Sequence, residues 1–136
     1  MITYSAIAPA SLQNVWEHFI YKIENPQYFV PGVSNVVIKQ KNDDYVIRQM
    51  DVQMPDGIKN TVTEKITFSP YHMKFEIINH PLFTGYVNNI AEFISNNETK
   101  ITFAMYWKNI ATNEVINNEN IIKEAVTKTI SFIAKN

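Results

Sequence analysis

The chain has 136 residues, and 12 basic side chains nearly balance 13 acidic ones for a net charge of −1. That balance provides no basic footprint for nucleic acid, and no run of like charge exceeds Asp43-Asp44, which excludes charged tails. The absence of cysteine excludes disulfides, thiolate metal sites, iron–sulfur clusters and a cysteine nucleophile.

Eight Phe, seven Tyr and two Trp stand against only three Gly, so aromatic bulk is plentiful and a glycine-rich phosphate loop is absent. Met1 to Ser5 carries no basic region followed by a long apolar one, and no apolar run approaches the ~18 residues of a membrane span. These features predict a soluble, cytoplasmic protein with no membrane span.

The alternation from Ile2 to Ile7 predicts a first strand. Ser11 is placed to cap a helix on which Leu12, Val15, Trp16, Phe19, Ile20 and Ile23 recur at helical spacing. Asn25-Pro26 ends that helix, and Tyr28 to Gly32 form a short second helix or a turn. From there the period switches to two. Six strands are expected near 35–41, 45–53, 59–68, 73–79, 85–95 and 99–109, separated by short turns that include Pro55-Asp56-Gly57, Ser69–His72 and Asn96-Asn97. Short connections imply antiparallel hairpins in a meander. A final helix carries Ile122, Val126, Thr129, Ile130 and Ile133 on one face, starts between Thr112 and Asn118, and ends near Ala134. The expected fold is α+β: a curved seven-stranded antiparallel sheet in the order β-α-α-β6-α, wrapped around a long C-terminal helix.

This order resembles the helix-grip fold of the START-like, or SRPBCC, superfamily. Particular stretches resemble its AtaL-like subfamily. They are Ala8-Pro9-Ala10 with Val15-Trp16, Asn25-Pro26 leading to Phe29-Val30-Pro31, Arg48, Val62-Thr63-Glu64, Val87 to Ile90, Ile101-Thr102-Phe103 before Tyr106-Trp107, and Ala125 to Ile130. The resemblance covers nearly the whole chain as one domain, residues 1–136. It implies a deep cavity between sheet and last helix, in a superfamily that binds lipids, sterols, polyketides and other hydrophobic molecules and includes cyclases and lyases. It carries over no catalytic motif. A cone-shaped α+β fold of the nuclear transport factor type is the alternative, although that fold normally starts with helices.

The turns fix a register that can be read for polar residues. A hairpin centred on Asp56 sets Met50 opposite Val62 and Arg48 opposite Glu64, in phase with Val46, Val52, Ile66 and Phe68. The next turn sets Ile66 opposite Phe75 and Glu64 opposite Ile77, which keeps the same phase over three strands. Arg48 and Glu64 are therefore expected on the inward face, where two charges must pair or meet water or a ligand. With Asn96-Asn97 as a two-residue turn, Ile90 faces Phe103, Asn88 faces Met105 and Tyr86 faces Trp107. The bulk of Phe103, Met105 and Trp107 favours that face as the inner one; the other carries Val87, Asn89, Ala91 and Phe93.

The expected ligand-binding set is Arg48, Glu64, Met50, Phe75, Tyr86, Asn88, Ile90, Phe103, Met105 and Trp107, with Val126 and Ile130 from the last helix. His18, His72 and His80 have no metal-ligand spacing, and no serine sits in a nucleophile elbow. No catalytic residue, metal or cofactor is assigned. The leading function is binding of a small hydrophobic or aromatic molecule, with no nucleic-acid partner and the oligomeric state open. The alternative is a polyketide cyclase or lyase, with Glu64 as acid or base and Arg48 holding an enolate oxygen. A protein-interaction role is disfavoured by the polar outer face expected from Lys39, Lys41, Gln49, Asp51, Lys65 and Lys74.

Overall fold

A computed structural model describes residues 1–54 and 56–136. Pro55, part of the expected turn around Asp56, lies outside the described residues.

Strand β1 (Ile2–Ala8) leads into helix α1 (Leu12–Glu24). The Ser11 hydroxyl starts that helix by accepting a hydrogen bond from the Asn14 backbone N–H at 3.1 Å. The expected second helix is one 3₁₀ turn, Pro26–Tyr28, because proline suits a first helical position and no apolar face follows it. Strands β2 (Val33–Lys41), β3 (Val46–Gln53), β4 (Lys59–Ser69), β5 (His72–Ile77), β6 (Phe83–Ser95) and β7 (Glu98–Asn109) follow. Helix α2 (Glu119–Lys135) closes the chain, with the Asn118 side chain accepting from the Asn120 N–H.

The seven strands form one antiparallel sheet in the order β1-β7-β6-β5-β4-β3-β2. The six later strands are a meander, and β1 returns to pair with β7. Helix α2 packs along β1 and β7, and α1 packs on β6 and β7. The face under the helices carries the apolar alternation. Val46 and Met50 of β3, Val62 and Ile66 of β4, Met73, Phe75 and Ile77 of β5, and Ile101, Phe103, Met105 and Trp107 of β7 are all buried. At the rim, Trp16 meets Phe68 at 6.2 Å and Tyr71 at 5.9 Å between ring centroids.

Register follows expectation in β3, β4 and β5: Arg48 opposes Glu64, Met50 opposes Val62, and Ile66 opposes Phe75. It departs in the β6–β7 hairpin. A bulge between Phe93 and Ser95 shifts the ladder by one residue, so Asn89 opposes Phe103, Val87 opposes Met105 and Gly85 opposes Trp107. One extra residue on one side of a hairpin turns that strand over from there onward. The inner face of β7 is as expected; that of β6 is the opposite one.

Candidate functional site

Three charged side chains and one amide meet beneath α1. Arg48 and Glu64 are 2% and 3% exposed, and an Arg48 terminal nitrogen lies 2.5 Å from Glu64 Oε1. The other terminal nitrogen of Arg48 donates to the backbone carbonyls of Ile23 at 3.0 Å and Lys22 at 3.3 Å. Those carbonyls lie in the last turn of α1, where a helix leaves oxygens unpaired and favours a cation. The guanidinium also lies 5.2 Å from the centroid of the Phe75 ring.

Lys22 completes the group. It is 3% exposed, and its Nζ donates to Asn89 Oδ1 at 2.5 Å. The same nitrogen sits 4.4 Å from the Phe103 ring centroid and 4.9 Å from that of Phe75. Burial, and then the neighbouring Arg48 charge, push its pKa from 10.5 down to about 7, with Glu64 pulling the other way. Several donors here find no partner among the described residues: Arg48 Nε, Asn89 Nδ2 and the indole Nε1 of Trp107.

Lys22, Arg48, Glu64 and Trp107 border a cavity of about 100 Å³ between the sheet and the start of α2. That is on the order of the cavities that take up benzene. Lys22, Arg48, Glu64 and Trp107 give it polar atoms, while Met50, Phe75, Val87, Phe103, Met105, Ile122 and Ala125 supply apolar wall. A wider recess of about 490 Å³ adjoins it, sharing Val30, Val52, Met54 and Ile121, and is rimmed by Gly32, Gly57, Asn118 and Glu124.

Of the expected set, Arg48, Glu64, Met50, Phe75, Phe103, Met105 and Trp107 border the cavity. Tyr86, Asn88 and Ile90 do not. The β6 bulge turns them to the far face, where Tyr86 stacks on Tyr106 at 5.9 Å and lies beneath the Lys74 ammonium. Val126 belongs to the closed core and Ile130 packs against it. The cavity lies under the first turns of α2, so Ile121, Ile122 and Ala125 take the place expected for them.

Sequence reasoning missed Lys22 and placed Asn89 on the wrong face. A signal for Lys22 was present, since it stands three residues after the buried Phe19 and seven after the buried Val15. Ile20, expected on the inward face of α1, is instead 38% exposed.

The histidines stay apart. His18 Nδ1 bonds the Asn14 carbonyl, and His80 Nδ1 accepts the backbone N–H groups of Leu82 and Phe83 at 3.0 Å. Burial holds the His80 pKa below its usual value. Among the described residues no group of three His, Asp or Glu side chains is placed to hold a metal, and no helix is long and apolar enough to cross a membrane.

A curved seven-stranded antiparallel sheet gripping a C-terminal helix defines the START-like class. Solved structures share that fold. The ZhuI aromatase/cyclase of Streptomyces sp. R1128 superposes with a TM-score of 0.81 at 12% identity, over 98% of this chain and 93% of that one. A START superfamily protein from Mycobacterium smegmatis gives 0.67 at 11% identity, over 98% and 91%. StfQ, a di-domain aromatase/cyclase of the steffimycin biosynthetic pathway, gives 0.67 at 11% identity, over 99% of this chain and 44% of that one. No curated protein sequence matches the chain. The chain belongs to the AtaL family, described as acetylaranotin biosynthesis cluster protein L, whose model matches residues 5–135.

Proposed function

We propose that the protein binds a small hydrophobic or aromatic molecule between the sheet and α2, with an acidic or carbonyl oxygen of that molecule turned toward Lys22, Arg48 and Trp107. The observation that carries this reading is an imbalance in the cavity wall. Among the described residues, Arg48 Nε and Trp107 Nε1 are buried donors without acceptors, on a wall whose one carboxylate, Glu64, already pairs with Arg48. Buried donors left unpaired are costly, so an oxygen that accepts from them binds with a gain that an apolar ring alone does not obtain.

Paired titrations test this. Benzoate and toluene, matched in ring size, are added to the protein while the methyl resonances of Met50 and Met105 are followed. Benzoate is expected to shift them and to bind at least ~10-fold more tightly than toluene, a difference of about 1.4 kcal/mol. Failure of both rings to move the signals would sink the reading.

A second reading has the same cavity acting as a polyketide cyclase, by analogy with the aromatase/cyclases that share the fold. Glu64 would be its acid or base and Arg48 would hold an enolate oxygen. The 2.5 Å contact between them favours a fixed ion pair over a proton-transferring Glu64, so binding ranks first. Glu64→Gln separates the two: turnover lost with ligand binding retained supports the enzyme.

A further inference from the structure

We propose that Lys22 is an imine-forming amine whose Nζ attacks the carbonyl carbon of an aldehyde or ketone held in the cavity. The proposal rests on the cavity being a ligand site and adds a covalent step to it. Lys22 is the one buried lysine among the described residues. Its Nζ stands at the cavity wall between the Phe75 and Phe103 rings, with a single hydrogen-bond partner, Asn89 Oδ1. An ammonium has three N–H groups to satisfy, whereas an amine held by one acceptor keeps a lone pair for attack. The charged groups acting on it are Arg48 of β3, which favours the neutral amine, and Glu64 of β4, which opposes it; Asn89 of β6 is uncharged. With a pKa near 7, a large share of the side chain is nucleophilic at neutral pH, as in enzymes that activate a lysine by burial beside a second cation.

The step balances without any co-reactant. The Lys22 nitrogen forms a bond to the carbonyl carbon, and the carbon–oxygen bond then breaks. The oxygen leaves as water with the two protons that the neutral amine carried. The Trp107 indole N–H, buried on the same wall with no partner among the described residues, is available to donate to the oxygen as negative charge develops on it. Apolar walls slow the hydrolysis that would reverse the step.

Reductive trapping on the unaltered protein tests the proposal. Benzaldehyde and cyanoborohydride are added at neutral pH, and benzylated lysines are located by peptide mapping. Methyl resonances of Met50 and Met105 are followed with benzaldehyde alone. Lys22 is expected to be labelled at least ~10-fold faster than any other lysine, because burial beside a second cation favours its neutral, nucleophilic amine. If the methyl signals shift but Lys22 is labelled no faster than the others, the imine is overturned and the binding site stands. If neither the signals nor Lys22 respond, both the imine and the binding site fall.

Discussion

Lys22 and Asn89, 67 positions apart in sequence, meet inside the protein with Nζ 2.5 Å from Oδ1. The contact fastens the last turns of α1 to the centre of β6. It exists because one extra residue between Phe93 and Ser95 turns Asn89 inward. Without the bulge Asn89 would lie on the far face of the sheet, away from the lysine.

The depressed Lys22 pKa makes stability depend on pH. Between about 7 and 10.5 the unfolded chain holds a proton that the folded chain has released. Stability therefore rises with pH through that window, and the contribution of Lys22 is flat below it. Between about pH 6 and about pH 9 the rise from this group is on the order of 3 kcal/mol. Urea melts of the parent and of Lys22→Met check it: the parent gains stability relative to the variant across the window, and parallel curves would refute the shift.

Arg48 answers to Glu64 and to the end of α1 at once. Arg48→Met strands a buried carboxylate and the Ile23 carbonyl at the end of α1, and is expected to cost about 3–5 kcal/mol in denaturant melts. The double variant Arg48→Met with Glu64→Leu removes both charges and should be less destabilised than the single one. A single-variant loss under about 1 kcal/mol would show that the pair carries little.

Filling the cavity separates binding from folding. Ala125 borders it from α2 and is 4% exposed. Ala125→Leu places added methyl groups in existing space, so stability should stay within about 1.5 kcal/mol of the parent. Benzoate uptake, measured by calorimetry, should fall at least ~10-fold. Unchanged uptake would place the ligand elsewhere.

Gly85 of β6 pairs with Trp107 of β7. Its φ is +131°, and an added Cβ would fall 1.8 Å from the Tyr106 carbonyl oxygen. Gly85→Ala must shift the backbone beside Trp107, at an expected cost of at least ~2 kcal/mol. Thermal unfolding measures this directly, and an unchanged midpoint would contradict the close approach.

The meander, both helices and the placing of Arg48 opposite Glu64 were legible because tight turns and unbroken alternation determine register locally. The β6 face was not, because a bulge leaves no composition mark in Glu92-Phe93-Ile94-Ser95; that single step misplaced Tyr86, Asn88 and Ile90 and hid Asn89. Lys22 escaped for another reason. A lysine on an amphipathic helix is ordinarily solvated, and only the tertiary environment shows that its amine lies beneath two rings. Val126 and Ile130 were read correctly as inward, but helical spacing does not tell which turns of an inward face meet space and which meet packed atoms.

Arg48 is the chain's sole arginine. Nitrogen-15 labelling of arginine alone would therefore give one guanidinium Nε–H correlation, assigned without mutagenesis. That proton belongs to a buried donor with no acceptor among the described residues, so it doubles as a solvent gauge. Its exchange with water times how often the interior opens, and its frequency reports when an oxygen arrives to accept it.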